Sequence, residues 1–132
     1  MLEIKEMQEK VKSLRVLIVD DEDKIRQGTA VFMGKFFDDV VCADNGEAAL
    51  KMFKEDGPYD VILTDMEMPK MRGDRLAQEI KTIDLNPFIA IMTGSPKEDI
   101  QSIKNCDMYL PKPIGIEEML KMMDIIIKKF SL

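Results

Sequence analysis

The chain has 132 residues, 45% of them hydrophobic and 33% charged, with a formal net charge of −6; this composition predicts one folded domain with its own core and argues against direct binding of DNA or RNA. No apolar run is long enough to cross a membrane, and the N-terminus lacks the layout of a signal peptide, so we expect a cytoplasmic protein. Histidine is absent and the two cysteines form no CxxC pair, which argues against a zinc site and against a Ser-His or Cys-His hydrolase.

Residues 1–14 are predicted to form an amphipathic helix. Their apolar positions Ile4, Met7, Val11 and Leu14 are spaced three, four and three residues apart, as on one face of a helix. A helix this short is marginal alone in water. We expect its apolar face to pack on the domain or on a second copy; the alternative is a frayed tail. We treat residues 1–13 as an N-terminal extension and residues 14–132 as the main domain.

Strands and helices then alternate along the chain. Five short apolar runs, rich in β-branched residues, are predicted strands: 16–19, 40–43, 61–63, 88–92 and 108–110. Apolar residues at helical spacing predict helices around 25–36, 48–53, 73–81 and 116–130. A further short helix, carrying Ile100 and Ile103, is predicted after the capping signature Ser95-Pro96-Lys97-Glu98. This alternation is typical of a doubly wound α/β fold with a parallel sheet covered on both faces.

Polar residues stand at the ends of four of these predicted strands. Asp20 and Asp21 follow the first strand, Asp65 the third, Thr93 the fourth and Lys112 the fifth. The carboxyl ends of parallel strands share one edge of the sheet, so these side chains should meet there. Three neighbouring carboxylates repel one another unless a cation joins them. Oxygen ligands without Cys or His favour a hard cation, Mg²⁺ before the transition metals.

This set of residues predicts phosphoryl chemistry. A carboxylate such as Asp65 can attack phosphorus to give an aspartyl phosphate. The charge on the phosphoryl oxygens could then be neutralised by the metal, the Lys112 ammonium and the Thr93 hydroxyl. Taken singly, each residue has a plainer interpretation: Asp65 as a surface residue beginning a turn, Thr93 as a turn former, and Lys112 as a solvated charge.

In this context the chain resembles the receiver domain of bacterial two-component response regulators over about residues 15–130. The resemblance is carried by motifs that occur in order, each at the end of its own strand or at the start of a helix: Asp20-Asp21, Asp65-Met66-Glu67-Met68-Pro69, Gly73, Thr93-Gly94, Tyr109 and Lys112-Pro113. It implies a flavodoxin-like (βα)5 fold with strand order 2-1-3-4-5. In that order Cys42 and Cys106 lie near opposite edges of the sheet, too far apart for a disulfide.

The resemblance also implies a phosphoacceptor and a metal site. Asp65 would receive a phosphoryl group from a sensor histidine kinase or a histidine phosphotransfer protein. Asp21, Asp65 and the backbone carbonyl of Glu67 would bind Mg²⁺ directly, and Asp20 would bind it through water. Lys112 would pair with the phosphoryl group.

The implied output is a change of conformation. Thr93 would turn to hydrogen-bond the phosphoryl group, and Tyr109 would move into the space that Thr93 leaves. The plainer interpretation of Tyr109 is a half-buried strand aromatic. No effector domain follows the last predicted helix, so we expect a single-domain regulator that signals through contact with a downstream protein target, without nucleic acid or membrane.

Three features depart from the family pattern. The interval from Thr93 to Lys112 is several residues short, which shortens the helix after Ser95. Glu67 and Ser95 occupy the two variable positions beside the site, where the family tunes dephosphorylation. The N-terminal helix is additional.

Several alternatives to a phosphorylation switch stay open. One is a phosphorelay intermediate and another is a receiver-like scaffold that is never phosphorylated. A third, an Mg²⁺-dependent phosphatase of the dehalogenase type, is disfavoured because those enzymes place Asp-x-Asp after the first strand, whereas here the lone acid, Asp65, follows the third. We expect self-phosphorylation and autodephosphorylation, not a dedicated enzyme.

Overall fold

A computed structural model describes residues 3–94 and 105–132. The strands are β1 (Arg15–Val19), β2 (Asp39–Ala43), β3 (Val61–Asp65), β4 (Phe88–Thr93) and β5 (Met108–Pro111). The helices within the described ranges are α1 (Ile4–Val11), α2 (Asp23–Met33), α3 (Gly46–Asp56), α4 (Gly73–Ile83) and α5 (Ile116–Lys129). The predicted helix with Ile100 and Ile103, its capping signature and Ser95 lie outside the described residues.

The five strands form one parallel sheet in the order β2-β1-β3-β4-β5, which confirms the predicted fold class and strand order. β3 lies at the centre, with Val61 opposite Val16 on one side and Phe88 on the other. Every residue of β3 and β4 is buried, because both faces of the sheet are covered. Continuous apolar runs with no alternation are the sequence signature of such strands.

The sheet divides the core into two layers. On one face Val16, Ile18 and Leu63 pack against α1, α2 and α5. On the other face Leu17 and Ile62 pack against α3 and α4. Eight of the twelve methionines are buried in these layers: Met7, Met33, Met66, Met68, Met92, Met119, Met122 and Met123. These methionines therefore serve as packing residues of the core.

The N-terminal helix is part of the packed structure. Met7 and Val11 are buried in the same layer as α5. Gln8 Nε2 donates to the carbonyl of Lys35 at 2.7 Å, and the Asp38 N–H donates to the carbonyl of Lys12 at 2.9 Å. Of the two packing partners that the sequence left open, the structure shows the domain itself.

Helix α2 departs in detail from its sequence pattern. The helix ends at Met33, so Phe36 lies beyond it, although its side chain is buried. Ile25, which fits the apolar period, is 38% exposed because it lines an open groove with Lys112 and Ile114. Cys42 and Cys106 are both free thiols; Cys42 is on β2 and Cys106 lies two residues before β5, at opposite edges of the sheet.

Arg15 joins several elements at the amino edge of the sheet through its contacts. Its guanidinium lies 4.3 Å from the centre of the Tyr59 ring and forms ion pairs with Asp56 at 2.8 Å and Asp39 at 3.1 Å. Its backbone N–H donates to Asp60 at 2.8 Å. Burial, reinforced by a hydrogen bond to Asp56, raises the pKa of Tyr59 to about 12. Within the described ranges, no helix is both long enough and apolar enough to span a membrane.

Candidate functional site

Two buried carboxylates lie at the carboxyl edge of the sheet. Asp65 is the last residue of the central strand β3, pairs in register with Met92 and is 5% exposed. Asp20 directly follows the neighbouring strand β1 and is fully buried. Its backbone N–H donates to the carbonyl of Ala43 at 3.2 Å, which continues the sheet one residue past β1. Parallel pairing therefore places these two acids, 45 positions apart in sequence, side by side.

Lys112 connects the two acids. Its Nζ lies 3.0 Å from Asp20 Oδ2 and 3.2 Å from Asp65 Oδ2, and only 15% of its side chain is exposed. The position is fixed by the sheet, because the Lys112 N–H donates to the carbonyl of Thr93 at 3.0 Å. Three strand ends thus converge on one ammonium group.

Burial and charge act against each other at this point. Burial raises the pKa of Asp65, and the nearby Lys112 ammonium only partly counters that effect. Burial alone would lower the pKa of Lys112, but the Asp20 and Asp65 carboxylates together raise it. The site therefore holds a charged lysine beside an aspartate whose ionised form is poorly solvated, which is the situation of a carboxylate ready to bind a cation or attack an electrophile.

Four acids could share a metal ion. Asp20, Asp21, Glu22 and Asp65 each offer one carboxylate oxygen, and these oxygens lie within 4.8 Å of one another. Asp21 and Glu22 are exposed, whereas Asp20 and Asp65 are buried. Glu22 was not among the residues that the sequence assigned to the site. The indication in the sequence was that Glu22 is the third residue of the acidic run that begins at Asp20.

This donor set fits a hard divalent cation. All of its ligand atoms are oxygens, which Mg²⁺ and Ca²⁺ prefer. Asp20 Oδ2 is buried and accepts no hydrogen bond from any residue in the described ranges, although it lies in ion-pair contact with Lys112. Its other oxygen, Oδ1, accepts from the Glu22 N–H at 3.0 Å. A cation bound to Asp20, directly or through water, would therefore share this buried oxygen with the Lys112 ammonium.

Gly73 allows the chain to pass close to Asp65. A Cβ at this position would lie 2.1 Å from the carbonyl oxygen of Asp65 and 3.1 Å from the Cα of Met66. The Gly73 N–H donates to the carbonyl of Met66 at 2.9 Å. The start of α4 is therefore seated directly on the turn that carries Asp65, and any larger residue would displace that turn.

The other predicted site residues lie around this centre. Thr93 ends β4 and is 6% exposed, and Tyr109 is half-buried on β5, opposite Ile91. The backbone N–H of Glu67 lies near the Asp65 carboxylate and acts to lower its pKa, against the effect of burial. Its side chain is exposed and lies 3.4 Å from Arg72. The structure thus places the Glu67 backbone at the site and its carboxylate at the rim.

Comparison with known proteins identifies relatives along most of the chain. The family model described as the response regulator receiver domain matches residues 16–124. A response regulator receiver protein of Anaeromyxobacter sp. (strain Fw109-5) is 31% identical over 109 residues, which are 80% of this chain and 45% of that protein. The regulatory protein AtoC of Escherichia coli (strain K12) is 34% identical over 110 residues, 80% of this chain and 23% of AtoC. The chain thus spans less than half the length of these two relatives.

Solved structures agree with the sequence relatives. TrrA of Thermotoga maritima, determined in complex with Mg²⁺ and BeF, is 30% identical with a TM-score of 0.75, and the match covers 86% of this chain and 99% of TrrA. A response regulator receiver domain from Clostridium thermocellum is 26% identical with a TM-score of 0.79, and that match covers 90% of this chain and 98% of the relative.

Proposed function

This chain belongs to the response regulator receiver domain family, and we propose that it is a phosphorylation switch in which Asp65 accepts the phosphoryl group. Receiver domains are phosphorylated by histidine kinases and act on downstream targets. The observation that carries the assignment to Asp65 is the position of Lys112 Nζ, 3.0 Å from Asp20 and 3.2 Å from Asp65. A cation at that point can neutralise a phosphoryl oxygen as the charge on phosphorus redistributes.

The proposed reaction is one transfer between two nucleophiles. A carboxylate oxygen of Asp65 attacks the phosphorus of a phosphohistidine on a kinase or phosphotransfer protein. The new P–O bond gives an acyl phosphate, the P–N bond breaks, and the imidazole leaves with its electron pair. Lys112 stabilises charge on the transferred group, and we propose that the Thr93 hydroxyl donates to another of its oxygens. In autodephosphorylation, water attacks the same phosphorus, the P–O bond to Asp65 breaks, and orthophosphate and the free carboxylate result.

We propose Mg²⁺ as the cofactor, because receiver domains bind this ion at an acidic pocket and the four carboxylates here supply oxygen donors. Asp21, Asp65 and the Glu67 carbonyl would hold the ion directly, and Asp20 would hold it through water. When bound, the ion neutralises negative charge on the phosphoryl oxygens. The complex of TrrA with Mg²⁺ and BeF supports the same use of this pocket.

The proposed output is a change of shape at Thr93 and Tyr109. Thr93 and Lys112 are joined by a backbone hydrogen bond of 3.0 Å, so a contact of Thr93 with the phosphoryl group would act on the end of β5. Tyr109 lies on the same strand two residues before Pro111. Signalling would then proceed by protein–protein contact. The protein would act as a switch in the cytoplasm and would have no dedicated enzymatic activity.

An apolar groove beside Lys112 supports a protein as phosphodonor. It has a volume of about 520 Å³. Its described lining residues come from α2, β4 and the segment after β5: Ile25, Gly28, Thr29, Phe32, Met92, Lys112, Pro113 and Ile114. An amphipathic helix that carries a phosphohistidine could lay its apolar face here and bring the imidazole to Asp65.

Phosphoryl uptake tests the proposal directly. Intact-protein mass spectrometry after incubation with acetyl phosphate should show a labile gain of one phosphoryl group that requires Mg²⁺. The gain should vanish in Asp65→Asn and persist in Asp38→Asn, which removes an exposed carboxylate at the amino edge of the sheet. Labelling that survives Asp65→Asn would refute the assignment.

Absence of labelling in the unmodified chain would be resolved with beryllium fluoride, which mimics the phosphoryl group without turning over. Binding of beryllium fluoride with Mg²⁺ would indicate a short-lived aspartyl phosphate. Failure to bind it would favour the alternative of an unphosphorylated scaffold. Passage of the phosphoryl group from Asp65 to a second histidine protein would instead identify a phosphorelay intermediate.

A further inference from the structure

Glu67 carries a carboxylate that stands at the rim of the site without belonging to its cluster. Its neighbours Met66 and Met68 are buried, whereas Glu67 is exposed. The turn is fixed in place, because the Met66 N–H donates to the carbonyl of Met92 at 2.9 Å and the Gly73 N–H donates to the carbonyl of Met66 at 2.9 Å. The backbone of Glu67 is thus held beside Asp65, whereas its exposed side chain can adopt different rotamers.

Arg72 determines that direction in the structure. Its Nη1 lies 3.4 Å from both carboxylate oxygens of Glu67, and its Nε lies 3.3 Å from Asp74 Oδ1. Arg72 is the residue that precedes α4, in an extended conformation with φ −67° and ψ 156°. The guanidinium therefore contacts Glu67 through one nitrogen and Asp74 through another.

The pairing of Arg72 with Glu67 affects the balance of charge at the carboxyl edge of the sheet. Asp20, Asp21, Glu22 and Asp65 already bring four carboxylates within 4.8 Å of one another, and Lys112 is the ammonium placed between two of them. A fifth carboxylate turned inward would add a cation ligand and more negative charge. Like charges at this range repel, and a divalent cation relieves the repulsion.

We propose that Arg72 is a positioning residue that keeps the Glu67 carboxylate out of the metal-binding cluster and thereby weakens the affinity of the site for Mg²⁺. The inference rests on the proposed function, because it concerns the same carboxylates. Half of the Arg72 side chain and 59% of the Glu67 side chain are exposed. A pair so exposed shifts populations by roughly two- to fivefold. Arg72 therefore tunes the site without being required for the fold.

Calorimetric titration with Mg²⁺ alone tests the proposal, since it measures affinity and not phosphoryl uptake. Arg72→Gln should bind Mg²⁺ about two- to fivefold more tightly than the unmodified chain. The matched control is Arg75→Gln, which removes the same charge three residues further along, within α4; Arg75 pairs at 2.8 Å with Glu79 instead. This control should leave the affinity unchanged.

The effect must depend on Glu67. In a Glu67→Gln background, the gain from Arg72→Gln should be largely lost, because there is no carboxylate left to release. An equal gain in that background would show that Arg72 acts through its own charge and would overturn the proposal. An unchanged affinity in Arg72→Gln would overturn it as well.

The proposed function can fail separately. A chain that binds Mg²⁺ with this dependence on Arg72 and Glu67, but takes up no phosphoryl group from acetyl phosphate and no beryllium fluoride, would refute the switch and support the positioning role. A chain that is phosphorylated on Asp65 but shows no coupling between the two residues would do the reverse.

Discussion

Replacing Lys112 with methionine should destabilise the protein strongly in the absence of metal. Methionine has a similar unbranched stem but no charge, so the change leaves two buried carboxylates without their cation. Asp20 is fully buried, the Asp65 side chain is 6% exposed and the Lys112 side chain is 15% exposed. Removal of one partner from a buried ion pair costs about 3–5 kcal/mol. We expect about 3 kcal/mol, since the edge of the sheet faces solvent and Asp65 can take up a proton.

The matched control is Lys128→Met. Lys128 forms an equally short ion pair, 2.9 Å with Asp124 on α5, but 75% of its side chain is exposed. Helical surface pairs of this type contribute about 0.3–0.5 kcal/mol. Urea denaturation in EDTA would compare both variants with the unmodified chain. A loss below about 1 kcal/mol in Lys112→Met would show that the buried pair carries little energy and would refute the reasoning.

Magnesium and acid should each reduce the loss in Lys112→Met. A cation bound only by the folded state at a hundred times its Kd adds about 2.7 kcal/mol, and the variant should bind it more tightly because no ammonium competes. Burial raises the pKa of Asp65, so its ionised form costs stability above the folded pKa. This cost disappears as the pH falls below the ordinary aspartate value of about 3.9. The stability gap should therefore narrow on acidification.

Two further predictions concern the groove beside Lys112 and the packing of the N-terminal helix. Ile25→Glu should slow phosphoryl transfer from a histidine phosphotransfer protein that labels the unmodified chain, but not from acetyl phosphate, because Ile25 lines the groove beside Lys112 and contributes nothing to the chemistry. A comparison of the initial rates of phosphoryl transfer from the two donors would measure this difference. Met7→Ala should lower the free energy of unfolding by about 2–5 kcal/mol, because Met7 is buried between α1 and the core. Phosphoryl uptake by the folded fraction should not change.

Each of these has a control on the same helix. Val31→Glu places the same charge on α2 at a position that is 69% exposed and outside the described groove lining, so it should not affect either donor. Equal slowing by Ile25→Glu with both donors would exclude the groove as the docking surface. Ile4→Ala removes a side chain that is 46% exposed and should change stability by about 0.5 kcal/mol or less. A loss in Met7→Ala no larger than this would show that α1 adds little to the core.

The strands and their order could be predicted because burial leaves a simple pattern. Val61-Ile62-Leu63 predicted a central strand, and the structure extends it through Thr64 to Asp65 because Asp65 pairs with Met92. Parallel pairing then brings Asp65 beside Asp20 and Lys112, as expected from the shared edge. These positions follow from the backbone ladder alone, which the apolar runs define.

Side-chain direction could not be predicted in the same way. The sequence did not show that Glu22 joins the acidic cluster or that Arg72 holds Glu67, because both depend on the path of a turn and on rotamers at a solvent-exposed edge. Ile25 fits the helical period yet is 38% exposed, because period alone does not say how much of the first turn of a helix reaches the sheet.

The methionines of one core layer can report on local opening of the protein through their oxidation. Met7, Met33, Met119, Met122 and Met123 pack together between α1, α2, α5 and the sheet, each with at most 1% of its surface exposed. Peroxide converts an exposed thioether to a polar sulfoxide. A buried thioether must first be uncovered by local opening. The order in which these sulfurs are oxidised under native conditions is therefore the order in which the helices leave the sheet. Mass spectrometry can measure this order of oxidation without a label. It would compare α1, the helix that is additional to the family pattern, with α2 and α5, which belong to that pattern.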